Sequence, residues 1–161
     1  MDLKSKRLTL HESKVGDLPR LREIIQMPGT AEWWGYYEGS ADDDELLEGW
    51  TVRLGKEIIG WVGADEETAA KFPSVALDIM IATEQHGKGY GPEALRAVID
   101  HFVDRGHHRF TIDPSTTNKH AIRAYEKTGF KPIGVARRAE QLQPGEWSDG
   151  LLMDLLADEL D

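Results

Sequence analysis

The chain has no cysteine, which excludes disulfide scaffolds, zinc–thiolate sites and thiol nucleophiles together. It has no apolar run near the roughly 18 residues that a membrane helix needs. Its opening residues, Met1-Asp2-Leu3-Lys4-Ser5-Lys6-Arg7, are not the apolar segment of a secretory signal. A cytoplasmic protein with no membrane partner is expected. Positive charge is scarce too: 19 Lys and Arg against 29 Asp and Glu leave a net charge of −10. Affinity for nucleic acid rests largely on Lys and Arg against phosphate, and no basic patch is evident along the chain, so no nucleic-acid partner is expected. Clefts lined by carboxylates concentrate cations, and the balance favours a cationic ligand, although negative charge also serves solubility alone.

What is present suits one folded domain spanning residues 1–161, with 40% apolar and 30% charged residues. Apolar positions recur at helical spacing from Val15 to Gln26 and from Pro92 to Arg105, the second run ending at Gly106. A third helix is expected over 118–128, closed by Gly129, and a fourth after Ser40, where Asp42-Asp43-Asp44-Glu45 supplies first-turn acids. Strands are expected over 50–54, 57–63, 75–81, 108–113, 130–137 and 150–155. The interleaving predicts an α/β (α+β) fold with a mixed sheet of six or seven strands.

The most informative segment follows the strand at 75–81. His86-Gly87-Lys88-Gly89-Tyr90-Gly91 alternates glycines and leads through Pro92 into a helix. Glycine lets a ligand approach the backbone closely, and the free amides of a helix start bind phosphate oxygens. The spacing is neither that of a Walker loop nor G-x-G-x-x-G. His101, His107 and His108 match no metal-ligand spacing, so no metal is expected.

The glycine loop is followed in order by a helix, a strand and Asn118-Lys119-His120-Ala121-Ile122-Arg123-Ala124-Tyr125-Glu126-Lys127-Thr128-Gly129-Phe130. This pairing resembles the GNAT superfamily of acyl-CoA-dependent N-acetyltransferases over nearly the whole chain, with His86 standing where the superfamily usually has Gln or Arg. The resemblance implies a mostly antiparallel sheet with splayed central strands and acetyl-CoA as co-substrate. The loop at His86, Gly87, Lys88, Gly89, Tyr90 and Gly91 would hold the pyrophosphate, and Asn118 and Ala121 would also bind the coenzyme. Pantetheine would run beside Ile79, Met80 and Ile81, with the main-chain N–H groups of Ile79 and Met80 near the thioester carbonyl. Tyr125, two helical turns after Asn118, occupies the position of the acid that protonates the leaving thiolate.

Asp78 is a carboxylate inside an apolar strand. It either points to solvent by strand alternation or serves as the base that accepts the incoming ammonium's proton. Glu32-Trp33-Trp34-Gly35, Leu77-Asp78-Ile79-Met80-Ile81 and Asp113-Pro114-Ser115 resemble aminoglycoside 6′-N-acetyltransferases most. On that resemblance Trp33 and Trp34, on a loop, contact a sugar ring, and Asp78, Asp113 and Asp149 receive ammonium groups. Asp113 equally fits an Asx-turn and Asp149 a hairpin turn. Protein N-termini, lysine, polyamines and a non-catalytic acyl-CoA or antibiotic binder stay open as alternatives, as do monomer and homodimer.

Overall fold

A computed structural model of the chain describes residues 1–35 and 40–161, the side chains at 40 and 41 excepted. The strands are β1 (Leu3–Lys4), β2 (Thr9–Glu12), β3 (Trp50–Leu54), β4 (Glu57–Glu67), β5 (Ser74–Ile81), β6 (Arg109–Ile112), β7 (Lys131–Gln143) and β8 (Glu146–Leu156). They form one eight-stranded sheet in the order β1-β2-β3-β4-β5-β6-β8-β7. Every neighbouring pair is antiparallel except β5 and β6. The sheet exceeds the expected six or seven strands because β1 and β2 are short and interleaved with Lys, Arg and His, which hides their period. The helices are α1 (Leu18–Ile25), α2 (Ala31–Trp34), α3 (Ser40–Leu47), α4 (Tyr90–Asp104) and α5 (Lys119–Thr128). Trp33 and Trp34, expected on a loop, form part of the single turn of α2.

Two apolar clusters cover the sheet. α4 buries Ala94, Leu95, Val98, Ile99 and Phe102 along one stripe, against Val75, Leu77, Phe110 and Leu155; each large side chain so buried contributes about 1.5–3 kcal/mol. On the opposite face, Leu21, Ile24 and Ile25 of α1 and Leu46 of α3 pack on Trp61 and Met80. Side chains alternate across a strand, so Asp78 shares a face with Met80 and points toward the α3 side.

Trp61 fixes that side. A Cβ at either Gly49 or Gly63 would come within 2.3 Å of its ring, so both glycines are required by close approach. Its indole N–H donates to the Leu46 carbonyl at 2.9 Å, which ties α3 to β4. Gly63 also pairs with Asp78 across the strands, leaving that carboxylate no cross-strand side chain to cover it.

The central strands part. β5 and β6 pair only at Val75↔Phe110 and Ala76↔Thr111. Past Ala76, β5 continues to Ile81 with β4 alone as neighbour, and the chain leaving β6 is drawn toward β8. There Leu151 N–H donates to the Pro114 carbonyl at 2.7 Å and Thr116 N–H to the Asp149 carbonyl at 2.9 Å, with a bridge between Ser115 and Gly150. These bonds hold the fork open.

Candidate active site

The fork exposes one polar edge of β5. Ala82 N–H donates to the Ile59 carbonyl at 2.7 Å, and the antiparallel alternation then turns Met80 N–H toward β4 and the N–H groups of Ile79 and Ile81 into the opening. The expectation that both Ile79 and Met80 offer amides is therefore corrected. Met80 N–H belongs to the β4 ladder, while Met80, a buried residue, is among those that line the opening.

Two arms meet at the fork. The first, about 450 Å³, runs from Ile79, Met80 and Ile81 to Gly87, Gly89, Tyr90 and Gly91, with Asn118, Ala121 and Tyr125 along its other wall. Gly89 adopts a left-handed conformation (φ 83°) at the N-cap of α4. Gly87 is also left-handed, and neither Gly87 nor Gly91 has any atom within 4 Å of where a Cβ would stand. The backbone there is bare, with the helix dipole behind it. His86 Nε2–H donates to the Ile81 carbonyl at 2.7 Å, closing the loop on the end of β5. Arg7 ion-pairs with Glu93 at 2.7 Å and lies 4.4 Å above the Tyr90 ring, which pins the start of α4. Asn118 accepts from Ala121 N–H at 3.3 Å as the N-cap of α5.

The second arm, about 240 Å³, is bordered by Asp42, Glu45, Asp78, Asp113 and Glu140 and shares Trp33, Trp34, Ile79, Asn118 and Tyr125 with the first. Asp78 is open to solvent through the mouth of this arm and walled by protein elsewhere. Loss of surrounding water lifts its carboxyl to about 7, repulsion from Glu45, Asp113 and Glu140 adds to the rise, and Ile79 N–H opposes it. Burial also raises the carboxyls of Asp113, Glu45 and Glu140 above their ordinary range, with neighbouring acids adding at Glu45 and Glu140. Tyr125 is buried, and burial together with the charges of Asp78 and Asp113 pushes its phenol well above the ordinary value; it keeps its proton. Among the described residues, no Lys or Arg forms an ion pair with Asp78, Asp113, Glu45 or Glu140.

The fold thus brings Trp33, Trp34, Asp78, Ile79, Asp113, Asn118 and Tyr125 to one junction. Trp34 also packs edge-on against Trp61 at 5.5 Å, joining the site to the core. Two expected residues lie elsewhere. Lys88 turns back to Gln85 Oε1 at 3.2 Å and lines neither arm. Asp149 lines neither arm; its Oδ1 accepts from Arg138 N–H at 2.7 Å, where β7 bulges between Ala136 and Glu140 and Arg138 is left-handed at φ 49°. It shapes the strand that carries Glu140. Glu45 and Glu140 are the acids that sequence reasoning missed. Glu45 was visible only as part of a first-turn acidic run, and the placement of Glu140 depends on the bulge.

Comparison with known proteins agrees with this geometry. Residues 7–131 match the family model described as an acetyltransferase (GNAT) domain. The chain belongs to the GNAT acetyltransferase family, enzymes that transfer an acetyl group from acetyl-CoA to nitrogen. It is 30% identical, over 155 aligned positions covering 80% of this chain and 76% of the relative, to aminoglycoside N(6′)-acetyltransferase type 1 of Klebsiella pneumoniae. A probable N-acetyltransferase, YjcK of Bacillus subtilis, is 26% identical over 122 positions, 75% of this chain and 67% of that protein. Among solved structures, the aminoglycoside acetyltransferase AAC(6′)-Ib in complex with coenzyme A superposes with a TM-score of 0.77 at 26% identity, covering 94% of this chain and 96% of the other. The spermidine N-acetyltransferase of Vibrio cholerae with CoA and spermine shares the fold, with a TM-score of 0.81 at 23% identity and coverage of 96% and 98%. The residues present suit a coenzyme: the open edge of β5 can pair with the pantetheine amides, and the bare backbone at Gly87 and Gly91 leaves room for phosphate.

Proposed function

We propose that the chain acetylates a primary amine of a small molecule that carries several ammonium groups, with the 6′-amine of an aminoglycoside, the acceptor in the name of its 30%-identical relative, as the first candidate. One observation carries this reading: Asp78, Asp113, Glu45 and Glu140 converge on one arm without a protein cation among the described residues to neutralise them. A lone peptide N-terminus would satisfy one such acid. A polycation satisfies several, and Trp33 and Trp34 offer aromatic faces to a sugar ring and to its cations.

Acetyl-CoA, when bound, supplies the activated acyl group. The roles left to the chain follow from the geometry. Asp78, with its carboxyl near 7, takes the proton of the incoming ammonium, directly or through water, so that a neutral amine attacks. Ile79 N–H faces the opening and steadies negative charge on the acyl oxygen. Tyr125, protonated and buried between the arms, gives its proton to the departing thiolate and regains, through water, the proton that the newly acylated nitrogen sheds.

The test is thiol release from acetyl-CoA with kanamycin, tobramycin, spermidine and an N-terminal peptide at equal concentration. Turnover is expected with the aminoglycosides. A peptide that outperforms every polycation removes the proposal.

A further inference from the structure

The chain is strongly acidic, with a net charge of −10, yet one wall of the larger arm is basic. Lys119, Arg123 and Lys127 recur at every fourth residue of α5 and therefore stand along one face of it, with His120 beside them. All four line the same cleft as the bare loop backbone at Gly87, Gly89 and Gly91. Spread through the linear sequence they form no visible patch; the helix assembles them. Lys119 Nζ donates to the Thr116 carbonyl at 3.0 Å. Among the described residues, none of Lys119, Arg123 and Lys127 has a carboxylate at ion-pair distance.

The row is also closed in at one end. The His120 ring stacks on His86 at 5.3 Å with 21° between planes, and His86 in turn holds the Ile81 carbonyl. Burial, His86, Arg123 and Lys127 together hold the His120 imidazolium below its ordinary pKa, as expected where cations crowd without a counter-ion. Like charges four residues apart on a helix repel one another. A protein with acids in excess has carboxylates to spare for neutralising them, and the fold sends those to the other arm instead.

We infer that Arg123 and Lys127, with Lys119 beside them, form a subsite for the third phosphate of the coenzyme, the 3′-phosphate on its ribose, while the loop at 86–91 takes the diphosphate. The inference rests on the coenzyme occupying this arm, and it adds a specificity for coenzyme A over its dephosphorylated form. The cleft is then polarised along its length, basic where the polyanionic donor lies and acidic where the amine enters.

The experiment is calorimetric titration of the free protein with coenzyme A and with 3′-dephospho-coenzyme A, for the wild type and for the double variant Arg123→Gln/Lys127→Gln. Both side chains are exposed, so the double variant keeps its fold, checked by an unchanged melting temperature without ligand. Wild type is expected to bind coenzyme A about 10- to 100-fold more tightly than the dephospho form, the range of one or two charged hydrogen bonds. The double variant should lose that preference while binding of the dephospho form stays within about twofold of wild type. The single variant Arg123→Lys, which keeps the charge, should retain most of it. Equal binding of the two ligands by wild type, or equal weakening of both in the double variant, overturns the subsite and leaves the arm assignment intact. Failure of both ligands to bind wild type overturns both.

Discussion

Ile79 N–H, one of the β5 amides that face the fork, donates to the carboxylate of its own neighbour Asp78 at 2.9 Å. That bond opposes the burial and repulsion that raise the Asp78 carboxyl. A group that takes Ile79 N–H for itself, as an acyl oxygen would, releases Asp78 from the interaction that favours its charged form. The carboxylate then becomes a stronger base at the moment an acyl group is in place, although an arriving ammonium pulls the other way.

This relationship makes the pH dependence of Asp78→Asn the first test. The base acts when ionised, so kcat/KM of the wild type should rise as pH increases through about 7 and level off above it. Asp78→Asn should lower the rate about 10²- to 10⁴-fold and abolish that rise. Stability moves the other way. A carboxyl whose folded pKa is raised costs the native state nothing at pH values below the unfolded pKa, and its full cost is reached above about 7. Asp78→Asn should therefore melt no lower than wild type at pH 8 and lose any advantage near pH 4. A rate loss accompanied by a lower melting temperature at pH 8 would count against the role as base.

Asp78 was legible because a carboxylate between Leu77 and Ile79 breaks an apolar strand, and the glycine loop was legible because bare backbone before a helix has few other uses. The fork was an expectation carried by the resemblance, and its cause lies in bonds between the loop at 113–117 and β8, which no local pattern announces. Glu140 was hidden for a related reason. Four steps along β7, from Ala136 to Glu140, oppose two along β8, from Gly150 to Ser148, and those two extra residues keep the alternation of faces but shift which β8 residue each later side chain opposes. Met80 N–H was misassigned because strand polarity depends on register, and register is a tertiary property.

Asp149 separates two readings of one residue. As a direct ammonium partner it needs its charge; as the acceptor for Arg138 N–H it needs only an oxygen. Asp149→Asn should keep the KM of the amine within about twofold, while Asp149→Ala should raise it about 3- to 10-fold, about one hydrogen bond, by loosening the bulge before Glu140. Arg138→Gly, which relieves a left-handed residue at φ 49°, should partly rescue Asp149→Ala. Steady-state kinetics on the four proteins decides it, and equal damage from Asn and Ala would restore the ammonium role.

Trp61 is the link between core and site. Trp61→Phe removes the donor for the buried Leu46 carbonyl, costing about 1–3 kcal/mol and lowering the melting temperature by about 3–10 °C in a domain of this size. Because α3 also carries Glu45, the KM of the amine should rise while that of acetyl-CoA holds. Gly63→Ala drives a methyl to within 2.3 Å of the Trp61 ring and should destabilise by about 1–3 kcal/mol. Differential scanning calorimetry reads both, and an unchanged melting temperature for Trp61→Phe would show that the bond to Leu46 does not hold α3.

The acidic arm should read charge number. Glu45→Gln and Glu140→Gln leave Asp78 and Tyr125 untouched and remove two negative charges from a region where Asp78, Asp113, Glu45 and Glu140 all hold protons more readily than ordinary carboxylates. For an acceptor with three or more ammonium groups, the double variant should raise KM about 10- to 100-fold, the range of one or two charged hydrogen bonds. For an amine with a single charge the change should be under about threefold. Raising salt from 0.05 to 0.5 M shortens the screening length to a few ångströms, so it should weaken polycation binding in wild type far more than in the double variant. Lowering the pH protonates these acids earlier than usual, so the polycation KM of wild type should climb on the acid side before that of the single-charge amine. If both acceptors respond alike to the double variant and to salt, the arm does not select its substrate by charge, and the preference for a polycationic amine loses its physical basis.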